Sequence, residues 1–359
     1  MPLPPPARLL SLATAVPPYE LSQEAVRAAA ATIFGGAESP FARLHPVYDN
    51  AGIKTRHAVL PLEDLAQPRG WEAWHQLFRP AALGLLEEVA RKALAEAGVE
   101  ASRVDTLLVA CSTGFTVPSL DALLLDRLPF PRSVERVPLV GYGCAGGVLG
   151  LTRAASLARA RPGSIVLFLT VELCTLTFRP GDRSRTNLVA TALFGDGAAA
   201  AVVSCGGTDK APSLGAGGEY CWPESEWIMG WSVEDDGLAV RLAPGLPDLI
   251  RSEGGELVTG FLHNHGLMPQ DIDHWVLHPG GAKVLQALAG CLPVPDDQLD
   301  PARRILRNHG NMSAPTVLFV LRDVLGAGAA GRLLCLAFGP GFTASYLLLD
   351  ASGDWPPAR

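Results

Sequence analysis

The chain of 359 residues has little charge and no basic run. Only 18% of it is charged, the formal net charge is −7, and its lysines and arginines form no cluster. Nucleic-acid binding rests on neutralising phosphates, so a nucleic-acid partner is not expected. No apolar run reaches the ~18–20 residues that span a bilayer, so no membrane span is expected either. Seven cysteines stand at 111, 144, 174, 205, 221, 291 and 335, with no C-x-x-C pair and no His-spaced zinc pattern. That leaves no metal site to predict. Most of them sit in apolar runs such as "LLVACSTG" and "RLLCLAFG", as small buried hydrophobes in a reducing, cytoplasmic setting. The N-terminus "MPLPPPARLLSLATAVPPYE" has one positive charge and a proline cluster ahead of its apolar stretch. It makes a poor signal peptide, and Leu9–Val16 is predicted as a first core strand.

What is present is a large apolar fraction, 48%, enough for two domains or one large duplicated one. Short apolar runs predict strands at Val104–Ala110, Val137–Val140, Ile165–Thr170, Ala198–Ser204, Trp275–His278, Arg332–Phe338 and Ala344–Leu349. Ala/Leu-rich segments predict helices at Ala81–Ala97, Val148–Ala160, Ala282–Leu288 and Ala314–Leu325. This alternation implies an α/β protein with much buried strand. The pattern also repeats. "VDTLLVACSTG", "GYGCAGGVLGLTRAA", "GSIVLFLT" and "GDGAAAAVVS" are followed by "IDHWVLHPGG", "NHGNMSAPTVLFVLRDV", "GRLLCLAFG" and "GFTASYLLLD". Asp105 precedes Cys144 by 39 residues, and Asp273 precedes Asn311 by 38. Two copies of one βαβ-type unit are predicted, residues 1–207 and 208–359, with the low-complexity stretch 204–218 as the seam.

Residues 139–150, "LVGYGCAGGVLG", contain the G-x-G-x-x-G of a dinucleotide site at Gly141, Gly143 and Gly146. Glu172 ends the next strand, roughly where a ribose-binding acid would stand. Against that reading, the motif lies 140 residues into the chain, and the second-half equivalent carries Asn-Met-Ser in place of glycines. A cysteine occupies the variable position. At a helix N-terminus, with His278 beside it, Cys144 is expected as a thiolate nucleophile. Asn311 occupies the equivalent turn of the second half, and a duplicated fold brings such turns together. His278 and Asn311 both donate hydrogen bonds suited to a developing oxyanion. Asn311 also fits a plain helix cap.

These residues resemble the thiolase superfamily, and within it the type III polyketide synthases, the chalcone-synthase-like enzymes. "GYGCAGG", "HPGG" and "GNMSAPT" are similar to the nucleophile, histidine and asparagine loops, and "FGPGFTA" to a Gly-Phe-Gly-Pro-Gly loop in which Ala337 replaces the first glycine. The resemblance implies a thiolase-like fold of two duplicated αβαβα halves in five layers. It implies a homodimer and no cofactor, with acyl-CoA and malonyl-CoA as substrates. Cys144 would carry the chain as a thioester, while His278 and Asn311 stabilise the enolate left by malonyl-CoA decarboxylation. Lys54, Arg56 and Lys283 match positions near coenzyme A. Phe194 matches one of two gatekeeper phenylalanines, and the other position is Val240. That smaller residue, with the "WIMGWSVEDDGLAV" context, points away from an aromatic starter and toward fatty acyl starters and alkylpyrone or alkylresorcinol products. Thr177 and Ser313 match cavity positions, and Val117 matches the residue that reaches into the partner's cavity. A ketoacyl-synthase-III-like enzyme, condensing once on an acyl carrier protein, is the alternative.

Overall fold

The computed structural model describes residues 5–35, 45–206 and 210–355. The proposed boundary at 207/208 therefore lies outside the described residues. Among the described residues thirteen strands are numbered in chain order: β1 (Ala7–Ala15), β2 (Tyr19–Ser22), β3 (Thr55–Ala58), β4 (Thr106–Cys111), β5 (Glu135–Val140), β6 (Ile165–Leu173), β7 (Asp196–Cys205), β8 (Ser213–Cys221), β9 (Met229–Glu234), β10 (Gly237–Leu242), β11 (His274–Leu277), β12 (Ala330–Gly339) and β13 (Thr343–Ser352). Nine form one mixed sheet in the order β11-β12-β13-β8-β1-β7-β6-β4-β5. Its middle contact is slight: β1 meets β8 only through Ala7–Leu214 and Arg8–Ser213. On either side the two halves run in matching order. β4 lies parallel to β6, and β6 antiparallel to β7; likewise β11 lies parallel to β12, and β12 antiparallel to β13.

The strands are apolar because both faces are covered. Along β6, Val166 and Phe168 face a central core, while Leu167, Leu169 and Val171 face a second, outer core. The central core holds two helices packed together, Gly146–Ala160 and Ala314–Gly326, which touch strands of both halves. Helix Trp71–Ala97 lies on the outer face of the first half, against β1, β6 and β7. Helix Gly255–Asn264 covers the outer face of the second, where Phe261 stacks on Tyr346 at 4.7 Å. The result is the five-layered, duplicated architecture that the resemblance implies.

Three features differ from the sequence reading. The glycine-rich stretch taken as a seam, 204–218, holds the first six residues of β8, first strand of the second half. A Cβ on Gly217 would come within 2.6 Å of Thr152 Cγ2, so glycine there admits the helix Gly146–Ala160 against the strand. The halves are also unequal. Where the first half has strand β5 before its turn, the second has helix Asp300–His309, and only an isolated bridge from Asn311 to Phe194 remains. Finally, helix Trp71–Ala97 continues through Pro80, where a boundary was expected; Trp74 and Phe78 bury its first turns. Among the described residues, no helix is long and apolar enough to cross a membrane.

Candidate active site

Cys144 occupies a single tight turn, Gly143–Ala145, between β5 and the helix Gly146–Ala160. The glycines around it have separate steric reasons. Gly141 and Gly143 adopt φ of +86° and +46°, left-handed values that favour glycine. A Cβ on Gly143 would also meet Pro340 Cδ at 2.6 Å. A Cβ on Gly147 would collide with the Ala314 carbonyl, and one on Gly150 with the Phe168 ring. The apparent nucleotide fingerprint is thus a turn followed by a helix pressed on its neighbours. Glu172 is fully buried, and its carboxylate accepts the N–H groups of Ser112 (3.1 Å) and Thr113 (2.8 Å), leaving it no ribose to meet. Ser112 in turn accepts the N–H of Gly143 through its hydroxyl at 2.8 Å.

The equivalent turn of the second half brings Asn311 to the thiol. Its Oδ1 and Nδ2 lie 3.8 and 3.9 Å from Cys144 Sγ. The carboxamide is oriented by two backbone groups: Oδ1 accepts the N–H of Ser313 at 2.8 Å, and Nδ2 donates to the Gly280 carbonyl at 3.3 Å. Asn311 is not a helix cap. Its own N–H donates to the Leu193 carbonyl (2.8 Å), and its carbonyl accepts the N–H of Gly195 (3.0 Å), so residues 193–195 strap it in place. Ser313 takes φ +57°, a strained backbone of the kind that concentrates at functional sites. His278 follows β11 and is tied by its N–H to the Leu336 carbonyl at 2.9 Å. Neither ring nitrogen has a hydrogen-bond partner among the described residues. Two buried, unspent nitrogens are what a residue meant to bond a ligand would show.

Burial acts on both titratable groups of the pair. Burial, reinforced by the charge of Glu172, pushes the Cys144 thiol up to about 11, against hydrogen bonds from Ser313 and Asn311 that favour the thiolate. Burial alone holds His278 down to about 3. Burial thus favours the thiol at Cys144 and the neutral imidazole at His278.

Cys144, His278, Asn311 and Ser313 line a cavity of about 340 Å³ together with Phe194, Val240 and, at its rim, Lys283. Phe194 and Val240 also line a second apolar cavity of about 70 Å³, which contains Thr177. Val117 lies in neither cavity and is 92% exposed. Lys54 is exposed but outside the cavity lining. Arg56 is corrected outright. It is 2% exposed, and its guanidinium donates to the carbonyls of Thr191 (2.8 Å), Ala192 (2.9 Å) and Phe194 (2.8 Å) and to Gln23. Its one unspent donor, Nε, is buried, so the guanidinium is spent inside the fold and not turned to coenzyme A. The sequence reading missed Arg185 and Arg241, exposed cations of the main cavity lining, and Trp231, which lines it opposite Val240. Arg185 opens a helix after the cap Ser184, a position that carries no sign of a cavity.

Comparison with known proteins decides the family. Residues 4–207 match the N-terminal domain of chalcone and stilbene synthases, and residues 216–352 the C-terminal domain. The chain belongs to the chalcone and stilbene synthase family. It is accordingly an acyl-condensing transferase of the type III polyketide synthase class. This family member is 38% identical to a 1,3,6,8-tetrahydroxynaphthalene synthase of Streptomyces peucetius subsp. caesius, over 94% of this chain and 91% of that one. It is 30% identical to an α-pyrone-synthesis polyketide synthase-like protein of Mycobacterium tuberculosis, over 86% and 82%. Among solved structures, the 1,3,6,8-tetrahydroxynaphthalene synthase of Streptomyces coelicolor A3(2) superposes with a TM-score of 0.91 at 28% identity, covering 98% of this chain and all of that one.

Proposed function

We propose that this synthase loads an acyl-CoA starter on Cys144 and extends it with malonyl-CoA in repeated decarboxylative condensations, before cyclisation to a pyrone or a resorcinol/phloroglucinol-type ring. Residues 1–207 supply the nucleophile, and 208–359 its histidine and asparagine. The Cys144 thiol gives its proton to His278 as sulfur attacks the starter carbonyl; the coenzyme A thiolate leaves and takes that proton back. Malonyl-CoA then loses CO₂, and the electron pair stays as an enolate held by hydrogen bonds from His278 and Asn311. The enolate carbon attacks the Cys144 thioester, the C–S bond breaks, and the elongated chain, now on coenzyme A, returns to sulfur for the next round. Lys283, with Arg185 and Arg241, offers positive charge to the coenzyme A phosphates at the rim.

One observation carries this reading: a thiol, an unspent imidazole and an oriented carboxamide open on one cavity that shares Phe194 and Val240 with a second apolar cavity. That second cavity supports a starter with an apolar tail. The relatives named for tetrahydroxynaphthalene and α-pyrone products support aromatic or lactone ring closure. A homodimer is part of the proposal, supported by exposed Phe115 (61%), Val117 (92%) and Val140 (66%) beside the open edge of β5. The test is incubation with acyl-CoAs of graded length plus malonyl-CoA, with products read by mass. Two or more extensions are expected, and none with Cys144→Ala. Product from that variant would sink the reading. A single condensation, active only on an acyl carrier protein, would favour the ketoacyl-synthase-III alternative.

A further inference from the structure

β12 turns back into β13 through Pro340, Gly341 and Phe342, and this three-residue turn presses on the nucleophile. Pro340 lines the main cavity, and its ring packs against Gly143. An added Cβ on Gly339 would collide with the Tyr142 carbonyl and stand 2.8 Å from the Ala145 nitrogen. Residues 142–145 and 339–340 therefore leave no slack between them. The turn is also strained. Gly341 has φ +65°, and Phe342, at φ +32°, carries a side chain that this region disfavours. Such a conformation persists only where its surroundings over-determine it. Here the surroundings are the segment that leads from β8 to β9. The Trp222 N–H donates to the Phe342 carbonyl at 3.1 Å, and the indole lies on the Phe342 ring with centroids 4.5 Å apart. The Gly341 N–H donates to the Met229 carbonyl at 3.4 Å. The Gly341 carbonyl accepts two side-chain donors, the Ser225 hydroxyl at 2.8 Å and the Cys221 thiol at 3.0 Å. Ser225 is 5% exposed and lines neither of the two cavities. Its Oγ also stands 2.6 Å from the Trp222 carbonyl, so one hydroxyl is shared between the turn and the segment that braces it.

We propose that Ser225, assisted by Cys221, is a positioning residue of the condensation: it holds the Gly341 carbonyl, seats Pro340 on the Cys144 turn, and so keeps Sγ beside the Asn311 carboxamide. This role rests on the acyl-CoA reading above and deepens it. Ser225 touches no substrate and acts through the turn. A strained turn released at one carbonyl relaxes toward ordinary backbone angles. Pro340 then withdraws from Gly143, and the residues that carry Cys144 gain room to shift. The attack geometry tolerates little of that, since a displacement of about 1 Å can slow a reaction about 10²-fold. Substrate binding is governed elsewhere, by the cavity walls and the cations at the rim. The signature of the role is therefore a loss of kcat with KM held.

The experiment uses the full-length parent with Ser225→Ala, Ser225→Thr, Ser225→Val and Cys221→Ala. Each is assayed for condensation of an acyl-CoA with malonyl-CoA, for alkylation of Cys144 by iodoacetamide read by peptide mass, and for its melting temperature. Ser225→Ala is expected to lower kcat about tenfold or more while both KM values stay within about twofold. Alkylation of Cys144 in that variant is expected to slow about threefold or more, because Sγ leaves the hydrogen bonds from Ser313 and Asn311 that favour the thiolate. A serine with a structural role alone would loosen the pocket when lost, and alkylation would hold or quicken. Thr and Val share one shape and differ in the hydroxyl, so Ser225→Thr should stand near the parent and Ser225→Val near Ser225→Ala. Cys221→Ala removes the weaker donor from an exposed position, where folding is not at risk, and is expected to lower kcat about two- to threefold. An unchanged kcat in a folded Ser225→Ala, a rise in KM in place of a fall in kcat, faster alkylation, or equal rates for the Thr and Val variants would overturn the anchor. If the Ser225 variants do not fold, an unchanged kcat in Cys221→Ala overturns it. If the parent condenses no acyl-CoA, the condensation reading fails, and the alkylation series still decides whether Ser225 seats the Cys144 turn.

Discussion

Arg56 and Lys54 stand two residues apart and meet opposite fates. β3 is a four-residue strand, and its alternation turns Arg56 and Ala58 inward while Thr55 and His57 stay half-buried. The buried guanidinium is held down to about 10 by desolvation, opposed by Tyr48 and Asp196, and so stays charged at neutral pH; its hydrogen bonds go to backbone carbonyls. Those carbonyls belong to the segment that straps Asn311. Arg56→Gln is therefore expected to destabilise the protein by about 3 kcal/mol or more, since it leaves buried acceptors unpaired. Urea unfolding checks this, and Lys54→Ala should stay within about 0.5 kcal/mol of the parent. An equal effect of the two would show that burial is not what separates them. Asn311→Ala removes one donor from the developing enolate and is expected to slow malonyl-CoA decarboxylation by about 10²–10³-fold. A drop below tenfold, measured by CO₂ release, would take Asn311 out of that role. Cys144, His278 and Asn311 were legible because reactive side chains occupied equivalent turns of a repeat. The direction of Arg56 was not, because a strand of four residues is too short to show its alternation amid "AGIKTRH".

At the scale of elements, the glycines separate helices that must touch from those that need not. Gly147 lies where the helix Gly146–Ala160 meets Ala314–Gly326, and a Cβ there would also stand 2.6 Å from Val317 Cγ1. Gly84 lies in the helix Trp71–Ala97 with nothing within 4 Å of an added Cβ. The same substitution should therefore have opposite signs. Gly84→Ala is expected to stabilise by about 0.5–1 kcal/mol, from helix propensity alone. Gly147→Ala gains that same propensity but must push two central helices apart, for a net loss of about 1–3 kcal/mol. It should also lower kcat, because the displaced helix carries Cys144 away from Asn311. Thermal melts of the two variants, with the turnover of each, decide it; two melting shifts of the same sign would refute the close approach. Strand β8 and the hairpin β9–β10 stayed hidden in the sequence for a related reason. Gly215, Gly217 and Gly218 give β8 no β-branched run, because a helix and a strand crowd its faces, and the hairpin was noticed only for its composition.

For the whole molecule, the consequence of a site built between two halves is that its titratable groups are buried among apolar layers. His278 and His309 are held neutral by burial, at about 3 and about 4. The unfolded chain takes up protons on them first, so each withdraws stability as pH falls from about 6.5 to its folded value. Glu172 and Asp196 are pushed up by burial, both to about 7, from ordinary values of 4.5 and 3.8. There the folded chain holds protons that the unfolded chain releases, so each adds stability as pH falls from 7 toward those values. Between about pH 6.5 and 4.5 two groups of each kind oppose, and the stability they govern should be nearly level. Below about pH 4 the carboxyls have given all they can, and His278 continues to withdraw stability. Asp196→Asn breaks the balance. It should introduce a loss of about 1.4 kcal/mol for each pH unit below 6.5, the value of one proton per unit. Its overall destabilisation is a separate matter, since Asp196 accepts from Thr175 and Val59. Only the slope is diagnostic, so urea midpoints at pH 6.5, 5.5 and 4.5 must be compared between variant and parent. Parallel lines for the two proteins would mean that Asp196 is ionised in the fold, with Arg56 as its counter-charge, and that the buried site is held together by charge pairing instead of by neutral groups.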